Sequence, residues 1–542
     1  MKIRNKPVIG MAPIPRSAQQ GSALLTAVVF IAVGVIMLGS VLTWVTNHGR
    51  LCARKKEWCR TQYVAEAGSE KIFAAIRNYL ATTGVAPGQP NLDDMATNQL
   101  PIAVDHPDFG GYLFVTPAGQ INRIVVLTNG SASVAAITSG TYAGLNALTM
   151  PYRVLSRATS SGQAIQLTTG VQRDIEIQHI PLFQFAIFYN VDMEIENGPP
   201  MTVNGRVHSN HNAFFAPESA LVFNDNVTVG LNAFPNPMPG DTHQTEWISP
   251  TYNNPITQGV PPLNLPIGSA NPHDLIELPP ASGTDPIASE RLFNKAGLRI
   301  KVTDSGVSVQ DGSGAAVTLP SGILTTSKTL FNYRENKTVA LTEIDIGLLM
   351  ANNKVPANRI VYIADTRTAP QQAAVRLVNG AALPSQGVTI ASVNPVYIKG
   401  NFNSASDEPA AVFGDSVNIL SANWNDAASS QPLSARLAAD TTVNAAFFTG
   451  VVPTIPGFYS GGVENLPRFL ENWTGRTFAY KGSMVVMFPS EIALGKWVYG
   501  GNYYTAPTRN WSFDLQFLDS TRLPPGTPSV RTIRRATWQI ST

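Results

Sequence analysis

The sequence predicts an α+β protein that is mainly β, with a long N-terminal membrane-spanning helix, an antiparallel sheet and then a large β-rich head. An uncharged run of membrane-spanning length covers residues 23–45. Alternating apolar and polar residues follow between 112 and 178, which indicates strands. The remainder of the 542-residue chain is built from short apolar bursts between Asn, Gly, Asp and Pro, and only 14% of all residues are charged. This composition favours strands and turns over further long helices.

The N-terminal run, ALLTAVVFIAVGVIMLGSVLTWV, is long enough to cross a hydrocarbon core, which takes about 20 apolar residues. A cleaved secretory signal usually has a shorter apolar region that ends in a small-x-small cleavage site. We therefore expect a membrane anchor. The next segment, RKKEWCRTQYVAEAGSEKIFAAIRNYL, keeps its apolar residues at helical spacing, so the pattern predicts one helix over 22–80, about 85–90 Å long.

Cys52 and Cys59 are the two cysteines of the chain, which excludes a disulfide framework and a four-cysteine zinc site. Seven helical positions separate them by about 10 Å along the axis, so they cannot bond to each other without unfolding the helix. They serve either as small apolar residues or as partners in an intermolecular bridge.

The N-terminus resembles that of a type IV prepilin, most closely the PilX-like minor pilins and pilus-associated proteins and the K-type minor pseudopilin of type II secretion. The resemblance is carried by a basic leader (Met1–Gln20), by Gly21, by the uncharged run and by QYVAEAGSEK (Gln62–Lys71), which is similar to the A-E-A-rich helix of PilX-like proteins. It implies that a prepilin peptidase cuts between Gly21 and Ser22. It also implies that other pilins or minor pilins are the partners.

Two positions depart from the major-pilin pattern. Ser22 replaces the usual Phe or Met at the first mature position, and Thr26 is the position of the missing pilin glutamate. In the family that glutamate pairs with the N-terminal amine of a neighbouring subunit. Because an uncompensated charge in lipid is expensive, its absence indicates either a subunit at the filament tip or a leader that is never cut.

The sequence pattern together with the prepilin resemblance divides the chain into five parts: prepilin-like leader 1–21, transmembrane and amphipathic helix 22–80, pilin-like β-sheet region 81–178, β-solenoid-like head with a proline-rich insertion 179–430, and C-terminal β-rich region 431–542. Residues 81–110 are predicted to form a linker, and the proline-rich residues 232–290 a long loop-like insertion on the head. The turn at 160–162 predicts an antiparallel hairpin. Bursts such as Met193–Glu196 and Met201–Val203 are typical of solenoid rungs, with a β-sandwich as the alternative.

Two segments of the head are further similar to PilX-like or pilus-associated proteins. They are NPVYIKGNF at 394–402 and a segment at 459–488 that contains GGVENLPRFLENW. The second predicts a short helix that points Leu466, Phe469, Leu470 and Trp473 inward. ERLFNKAGLRI predicts another short helix that leads into a strand.

Asp192, Glu194 and Glu196 alternate, so in a strand they point to one face. They are weak candidates for a calcium site or for the acids of a lyase or hydrolase. A solvated strand face is the favoured interpretation, since metal sites gather ligands from several segments. His208 and His211 have loose metal-ligand spacing, and a structural role is favoured for them. Most of the tryptophans (Trp247, Trp424, Trp473, Trp497, Trp511) are expected in the core rather than in a glycan groove.

The sequence contains no G-x-S-x-G elbow, H-E-x-x-H helix or phosphate loop. We therefore expect no catalytic residue, no cofactor and no enzymatic activity, and the net charge of +2 gives no reason to expect nucleic acid as a partner. The favoured hypothesis is a minor pilin-like subunit that is held in the inner membrane before assembly and then lies on the cell surface or in a periplasmic filament. Its head would initiate assembly or adhere to an external surface or glycan. The alternative is a surface-anchored β-solenoid that binds or degrades polysaccharide.

Overall fold

The computed structural model describes residues 22–161, 165–241, 247–369, 371–498 and 501–541. It begins with one 62-residue helix, α1 (Ser22–Thr83), so the predicted long helix is confirmed. The chain then enters a β-rich region of six sheets, which confirms the predicted mainly-β α+β class. Within the described residues three further α-helices are short: α2 (Gln89–Asn98), α3 (Leu292–Lys295) and α4 (Ile346–Ala351).

The second half of α1 lies on an antiparallel sheet, here called the docking sheet. Its strands are β1 (Tyr112–Phe114), β2 (Val125–Thr128), β3 (Ser133–Ala136), β4 (Asn146–Ser160), β5 (Thr168–Pro181) and β32 (Ser529–Ser541). Strands β4 and β5 form the predicted hairpin. The linker expected at 81–110 is wrong in part, because α2 forms there and buries Leu92 and Met95 in the core of the docking sheet.

The C-terminal strand returns to this sheet from the far end of the chain. β32 pairs antiparallel with β5, with Ser529 opposite Pro181. The predicted C-terminal region 431–542 therefore contributes its last strand to the sheet on which α1 docks, and the chain leaves the docking sheet for the head and comes back at neighbouring positions.

The first coil of the head follows β5 directly. Its strands are β6 (Ile187–Tyr189), β7 (Met193–Ile195), β8 (Met201–Val203), β9 (Val207–Ser209), β10 (Ala213–Phe215), β11 (Leu221–Phe223), β12 (Val227–Val229), β13 (Ala233–Phe234), β14 (Thr251–Tyr252) and β15 (Thr257–Gln258). All of their pairings are parallel, and β7 pairs with β10 twenty residues further along. Strands of successive turns of the chain therefore pair side by side and in parallel.

Corner amides and stacked rings join successive rungs of the first coil. Asn224 donates from Nδ2 to Asn204 Oδ1 at 2.7 Å, and Asn253 repeats this contact with Asn224 at 2.6 Å. Phe223 stacks on Tyr252 with 5.3 Å between ring centroids. Each rung bonds to the exposed corner amide of the previous one and covers part of its apolar face, which is why Asn and aromatic residues recur at these positions.

The second coil is longer. Its strands are β16 (Leu298–Thr303), β17 (Gly306–Asp311), β18 (Leu324–Asn332), β19 (Lys337–Asp345), β20 (Ile360–Asp365), β21 (Gln372–Val378), β22 (Val388–Ser392), β23 (Val396–Lys399), β24 (Ala410–Gly414), β25 (Val417–Leu420), β26 (Thr441–Asn444), β27 (Ala446–Val451), β28 (Pro467–Phe469), β29 (Thr477–Gly482), β30 (Met484–Pro489) and β31 (Thr508–Phe513). Apart from the β16–β17 and β18–β19 hairpins, these strands also pair in parallel.

One eleven-stranded sheet joins the two coils, in the order β15-β12-β9-β6-β30-β27-β24-β22-β20-β16-β17. In the first coil, successive strands of this sheet lie further from β6 in one direction. The second coil begins with β16 and β17 at the opposite end of the sheet, and its later strands lie progressively closer to β6, until β30 pairs with β6. The chain thus enters the combined coil at its middle. At about 4.8 Å per strand the sheet extends for about 48 Å.

Residues 259–291, here called the crossing segment, carry the chain from one end of this coil to the other. The segment buries several apolar side chains in the head core: Leu263, Leu265, Ile267, Leu275, Ile276 and Ile287. Its Gly268 lies at φ +61° against Thr82 O at the end of α1, where a Cβ would have no room. The predicted insertion at 232–290 thus contains the short strands β13, β14 and β15 of the first coil, and nearly all of the crossing segment, which packs on the head, follows them.

The short helix predicted at 461–473 is wrong. Val463–Asn465 forms a single 3-10 turn, and Pro467–Phe469 is β28, which pairs in parallel with β25. The inward positions of Phe469 and Trp473 were nevertheless right, since both are buried. The pairing with β25 overrides the helical spacing of the apolar residues. The helix predicted before residue 298 is present as α3 and leads into β16.

Candidate functional site: the projecting helix and the carboxyl cluster

The first half of α1 projects from the rest of the structure. Every residue from 22 to 56 is exposed, and the side chains of Leu24 and Phe30 have 75% and 72% of their surface open. This is the one helix in the described residues that is long and apolar enough to cross a membrane, with a mean hydropathy of 2.6 over its best window. At 1.5 Å per residue the projecting part is about 50 Å long, more than the roughly 30 Å of a hydrocarbon core.

The start of the helix shows how Thr26 is satisfied. Its hydroxyl donates to the carbonyl oxygen of Ser22 at 2.6 Å, so it binds its own helix and presents no charge. Gly21, the other residue of the predicted cleavage site, lies outside the described residues, as does the leader. The two cysteines of the helix, Cys52 and Cys59, are both free thiols, and Cys52 is exposed.

The second half of α1 is fixed to the docking sheet by close packing at Gly68. A Cβ there would lie within contact distance of Ser156 Oγ and only 2.6 Å from a ring carbon of Phe114. The helix backbone therefore approaches the sheet more closely than any side chain permits. Glycine is required here for space rather than for an unusual backbone angle.

Polar contacts hold the same face of the helix. Gln62 Oε1 accepts a hydrogen bond from Thr169 at 2.6 Å. Glu70 pairs with Arg173 of β5 and with Arg535 of β32, each at 2.7 Å. The guanidinium of Arg535 also lies 4.1 Å above the ring of Phe73. The helix is therefore docked on both the hairpin and the returning C-terminal strand.

The three alternating acids of the first rung do not form the solvated face that the sequence analysis favoured. Glu194 and Glu196 have only 3% and 8% of their surface exposed. Asp192 Oδ1 accepts from the backbone N–H of Asn212 at 2.9 Å, so Asp192 tethers the next rung. The alternating pattern predicted the wrong environment because a distant segment, residues 454–464, covers the outer face of β7.

Glu194 and Glu196 instead form a buried carboxyl cluster with Asp241 and Glu464. Glu194 Oε2 accepts from the hydroxyls of Thr454, at 2.6 Å, and of Ser460. Glu464 Oε1 accepts from the backbone N–H of Glu196 at 3.2 Å. Glu464 lies 268 residues beyond Glu196, and no signal in the sequence around it indicated that it would join these acids.

Burial raises the pKa of each glutamate in the carboxyl cluster, because surrounding protein in place of solvent disfavours the charged form. The pKa of Glu194 rises to about 7, against the lowering effect of the Ser460 and Thr454 hydroxyls. That of Glu464 also rises to about 7. The pKa of Glu196 rises to about 10, through burial and through the charge and hydrogen bond of Asp241. At neutral pH the cluster therefore holds protons.

A groove of about 530 Å³ opens beside the carboxyl cluster. Residues 197–204 of the first coil line one side, residues 506–511 line the other, and Glu464 contributes to the wall. The guanidinium of Arg509 lies 5.6 Å from the ring of Trp511, and both line the groove. An acid that keeps its proton, an arginine and an indole are groups that can contact a sugar ring.

His208 and His211 do not come together as a metal site. His208 is fully buried, with Nδ1 2.8 Å from Thr228 Oγ1 and Nε2 2.9 Å from Asn210 Oδ1. Burial lowers the pKa of His208 to about 4, so its ring is neutral. His211 is exposed. The structural role predicted for His208 agrees with these contacts.

The tryptophans divide between the core and the surface. Trp424 and Trp473 are 4% and 0% exposed, and Trp473 packs at 5.3 Å against Phe469. Trp497 and Trp511 are half-buried, and Trp247 is exposed. Of the five, Trp511 is the one that lines the groove beside Glu464.

No protein-family profile matches the sequence, and no curated protein matches it. Among solved structures, the chain is similar to the competence-associated pilin ComZ from Thermus thermophilus, with 12% identity and a TM-score of 0.27. The alignment covers 89% of this chain and 97% of that one. A TM-score of this size does not establish a shared fold and transfers no function.

Proposed function

We propose that the chain is a minor pilin-like structural subunit of a type IV pilus or of a type II secretion-type filament. The observation that carries the proposal is the division of α1 at Glu57: an exposed apolar rod precedes this residue, and a helix docked on an antiparallel sheet follows it. Such a rod fits lipid before assembly and a bundle of helices from other pilins afterwards, because either environment removes its apolar surface from water. The proposal assigns no catalysis to the chain.

The route to the filament follows from the prepilin-like N-terminus. The chain is held in the inner membrane by α1, a prepilin peptidase cuts before Ser22, and the mature subunit joins other pilins on the cell surface or in a periplasmic filament. N-terminal sequencing of the exported protein tests this step. A mature chain that begins at Ser22, and a full-length chain in cells without the peptidase, are expected. A chain that begins near Met1 in both cells would contradict cleavage and favour a permanent anchor.

The tip is the proposed position of the subunit, where its head initiates assembly or adheres to a partner. A coil about 48 Å long hinders regular repetition along a shaft of closely spaced subunits. Thr26 satisfies its hydroxyl on its own backbone and offers no carboxylate to the amine of a neighbouring subunit. Both features suit a terminal position better than an internal one.

Electron microscopy of tagged filaments tests the position. An epitope inserted between Asp304 and Ser305, in the exposed β16–β17 turn at one end of the coil, leaves the core pairing intact. Gold label confined to one end of each filament is expected, and the untagged chain gives the background. Label spaced along the shaft would contradict the tip position. Label on the membrane alone would contradict the pilin-like role.

A second candidate function is a surface-anchored coil that binds or degrades polysaccharide, and the groove beside Glu464 favours it. Glu464 keeps a proton to about pH 7 and stands with Trp511 in the groove wall. Incubation of the detergent-solubilised chain with a polysaccharide panel tests this candidate. Turnover that Glu464→Gln abolishes would replace the structural proposal. Binding without turnover that is lost in Trp511→Ala would make the groove an adhesive site of the proposed tip subunit.

A further inference from the structure

A second cluster of ionisable groups lies where the crossing segment meets the second coil. His273 and Glu277 belong to the crossing segment, and Glu491 follows β30. His273 Nδ1 lies 2.8 Å from Glu277 Oε1 and 3.6 Å from Glu491 Oε2. The three ligand atoms lie within 4.8 Å of one another. The crossing segment and the second coil thus bring together three side chains whose nitrogen and oxygen atoms could bind a metal ion.

The imidazole is oriented from behind by Asp415. His273 Nε2 lies 3.3 Å from Asp415 Oδ1, and this carboxylate has no exposed surface. Asp415 is itself fixed by the backbone N–H groups of Glu491 at 2.6 Å and Ala493 at 2.7 Å. A carboxylate that takes the far N–H of a histidine, and so directs the near nitrogen at a ligand, is the usual support of a metal-binding histidine.

We propose that His273, Glu277 and Glu491 bind a divalent transition-metal ion, for which Zn²⁺ is the best fit. Tetrahedral zinc with N and O ligands at about 2.0–2.2 Å places its ligand atoms about 3.3 Å apart. The two distances from Nδ1, 2.8 and 3.6 Å, lie on either side of that value. The two glutamate oxygens also lie within 4.8 Å of each other, so rotation of these two side chains would bring the three ligand atoms to the spacing of a zinc site.

Exposure and hydrogen bonding match this arrangement. The His273 side chain is 1% exposed, whereas those of Glu277 and Glu491 are 34% and 46% exposed. The site therefore has a fixed nitrogen at its base and adjustable oxygens at its mouth, where water fills the remaining coordination position. Asn271 Nδ2 donates to Glu491 Oε1 at 3.0 Å, which leaves Oε2 directed towards His273.

The local charge also favours a cation. Three carboxylates (Asp415, Glu277 and Glu491) surround one imidazole. Arg468, whose charge acts on Asp415, is already paired with Glu335 at 3.0 Å. A bound ion would join the crossing segment directly to the loop after β30, and His273 would extend this link through Asp415 to the turn after β24. It would thereby fix the one segment that links the two ends of the coil.

Titration of the full-length chain in detergent tests the site, after removal of metal with a chelator and at a pH above neutrality. One equivalent of Zn²⁺ is expected to bind and to raise the Tm, and Co²⁺ is expected to give visible d–d absorption with histidine coordination. Glu491→Gln removes a half-exposed ligand without opening the core and is expected to abolish both signals. Asp415→Asn is expected to weaken binding by about 10–100-fold while retaining stoichiometry.

Asp274→Asn is the matched control, since Asp274 is a half-buried carboxylate of the same segment that is outside the cluster. It is expected to bind Zn²⁺ as the natural chain does. Absence of binding at saturating Zn²⁺ in the natural chain would overturn the proposal and leave His273 as a hydrogen-bonding partner of Glu277 and Asp415. Equal loss of binding in Asp274→Asn and Glu491→Gln would overturn it as well, since surface charge alone would then explain the signal.

Discussion

Replacing Glu194 with Gln removes one ionisable group from the buried carboxyl cluster and keeps the shape of the protonated side chain. The amide oxygen can still accept from Thr454 and Ser460, the two donors to Glu194 Oε2. The pKa of Glu194 is about 7 in the folded chain, against a model-peptide value of 4.5. The variant therefore isolates the free energy of burying the charge from that of losing the hydrogen bonds.

The direction of the effect follows from proton linkage. A pKa raised on folding means that the folded chain binds the proton more tightly than the unfolded chain, so the contribution is complete below about pH 4.5 and is lost as the pH rises to about 7. A shift from 4.5 to about 7 corresponds to about 3 kcal/mol at 1.36 kcal/mol per pKa unit. Gln is uncharged at every pH. Glu194→Gln is therefore expected to stabilise the fold by about 3 kcal/mol at pH 8 and by less than about 1 kcal/mol at pH 5.

Urea denaturation of the full-length chain in detergent, followed by tryptophan fluorescence at both pH values and with a chelator present, measures the difference. Glu218→Gln is the matched control, because Glu218 is an exposed glutamate one rung further along the first coil. The control is expected to change the urea midpoint little at either pH. A gain for Glu194→Gln that is equal at pH 5 and pH 8, or a loss at pH 8, would refute the reasoning.

Three further predictions concern α1. The double substitution Val33→Asp and Val35→Asp is expected to remove the chain from the membrane fraction, since each central charge costs about 2.5–3.5 kcal/mol on insertion; unchanged membrane retention would contradict the anchor. Ala74→Pro, at an exposed position of the docked half, is expected to destabilise the helix by about 3 kcal/mol or more and to lower the protease resistance of the docking sheet; equal resistance would show that α1 does not support the sheet. Gly68→Ala is expected to lower the free energy of unfolding by about 1–3 kcal/mol, because the added Cβ would lie 2.6 Å from Phe114 and force α1 away from the docking sheet. Gly49→Ala, which meets nothing within 4 Å, is the control and should leave thermal unfolding unchanged or raised.

Periodicity located the elements whose partners are nearby in sequence. The uncharged run and the helical spacing after it predicted α1 to within three residues of its end at Thr83, and the turn near residue 161 predicted the β4–β5 hairpin. The short bursts of the first coil predicted strands at Met201–Val203 and their neighbours. In each case the residues that form the pattern and their structural partners lie in one stretch of chain, so local periodicity and turn residues suffice to predict the element.

Contacts between distant segments escaped the same reasoning. β32 pairs with β5 about 350 residues earlier, and no local pattern specifies that partner. The solvated face predicted for Glu194 and Glu196 failed because residues 454–464 cover it, and the partner acid Glu464 carries no motif. Likewise, His273 stands in a proline-rich stretch that was predicted to be a loop, and the fold alone brings it to Glu491.

Entry of the chain at the middle of the coil has a consequence for folding order. β6 emerges early, but its neighbour β30 follows almost 300 residues later, as the Asn190–Met487 hydrogen bond shows. Until that neighbour arrives, one edge of the first coil offers unpaired backbone groups to any extended chain nearby. Pairings of such long sequence separation form slowly, and partly formed states with open edges are prone to aggregation. A chain truncated before Met484 would keep this edge open permanently, so completion of the head depends on synthesis of the whole polypeptide.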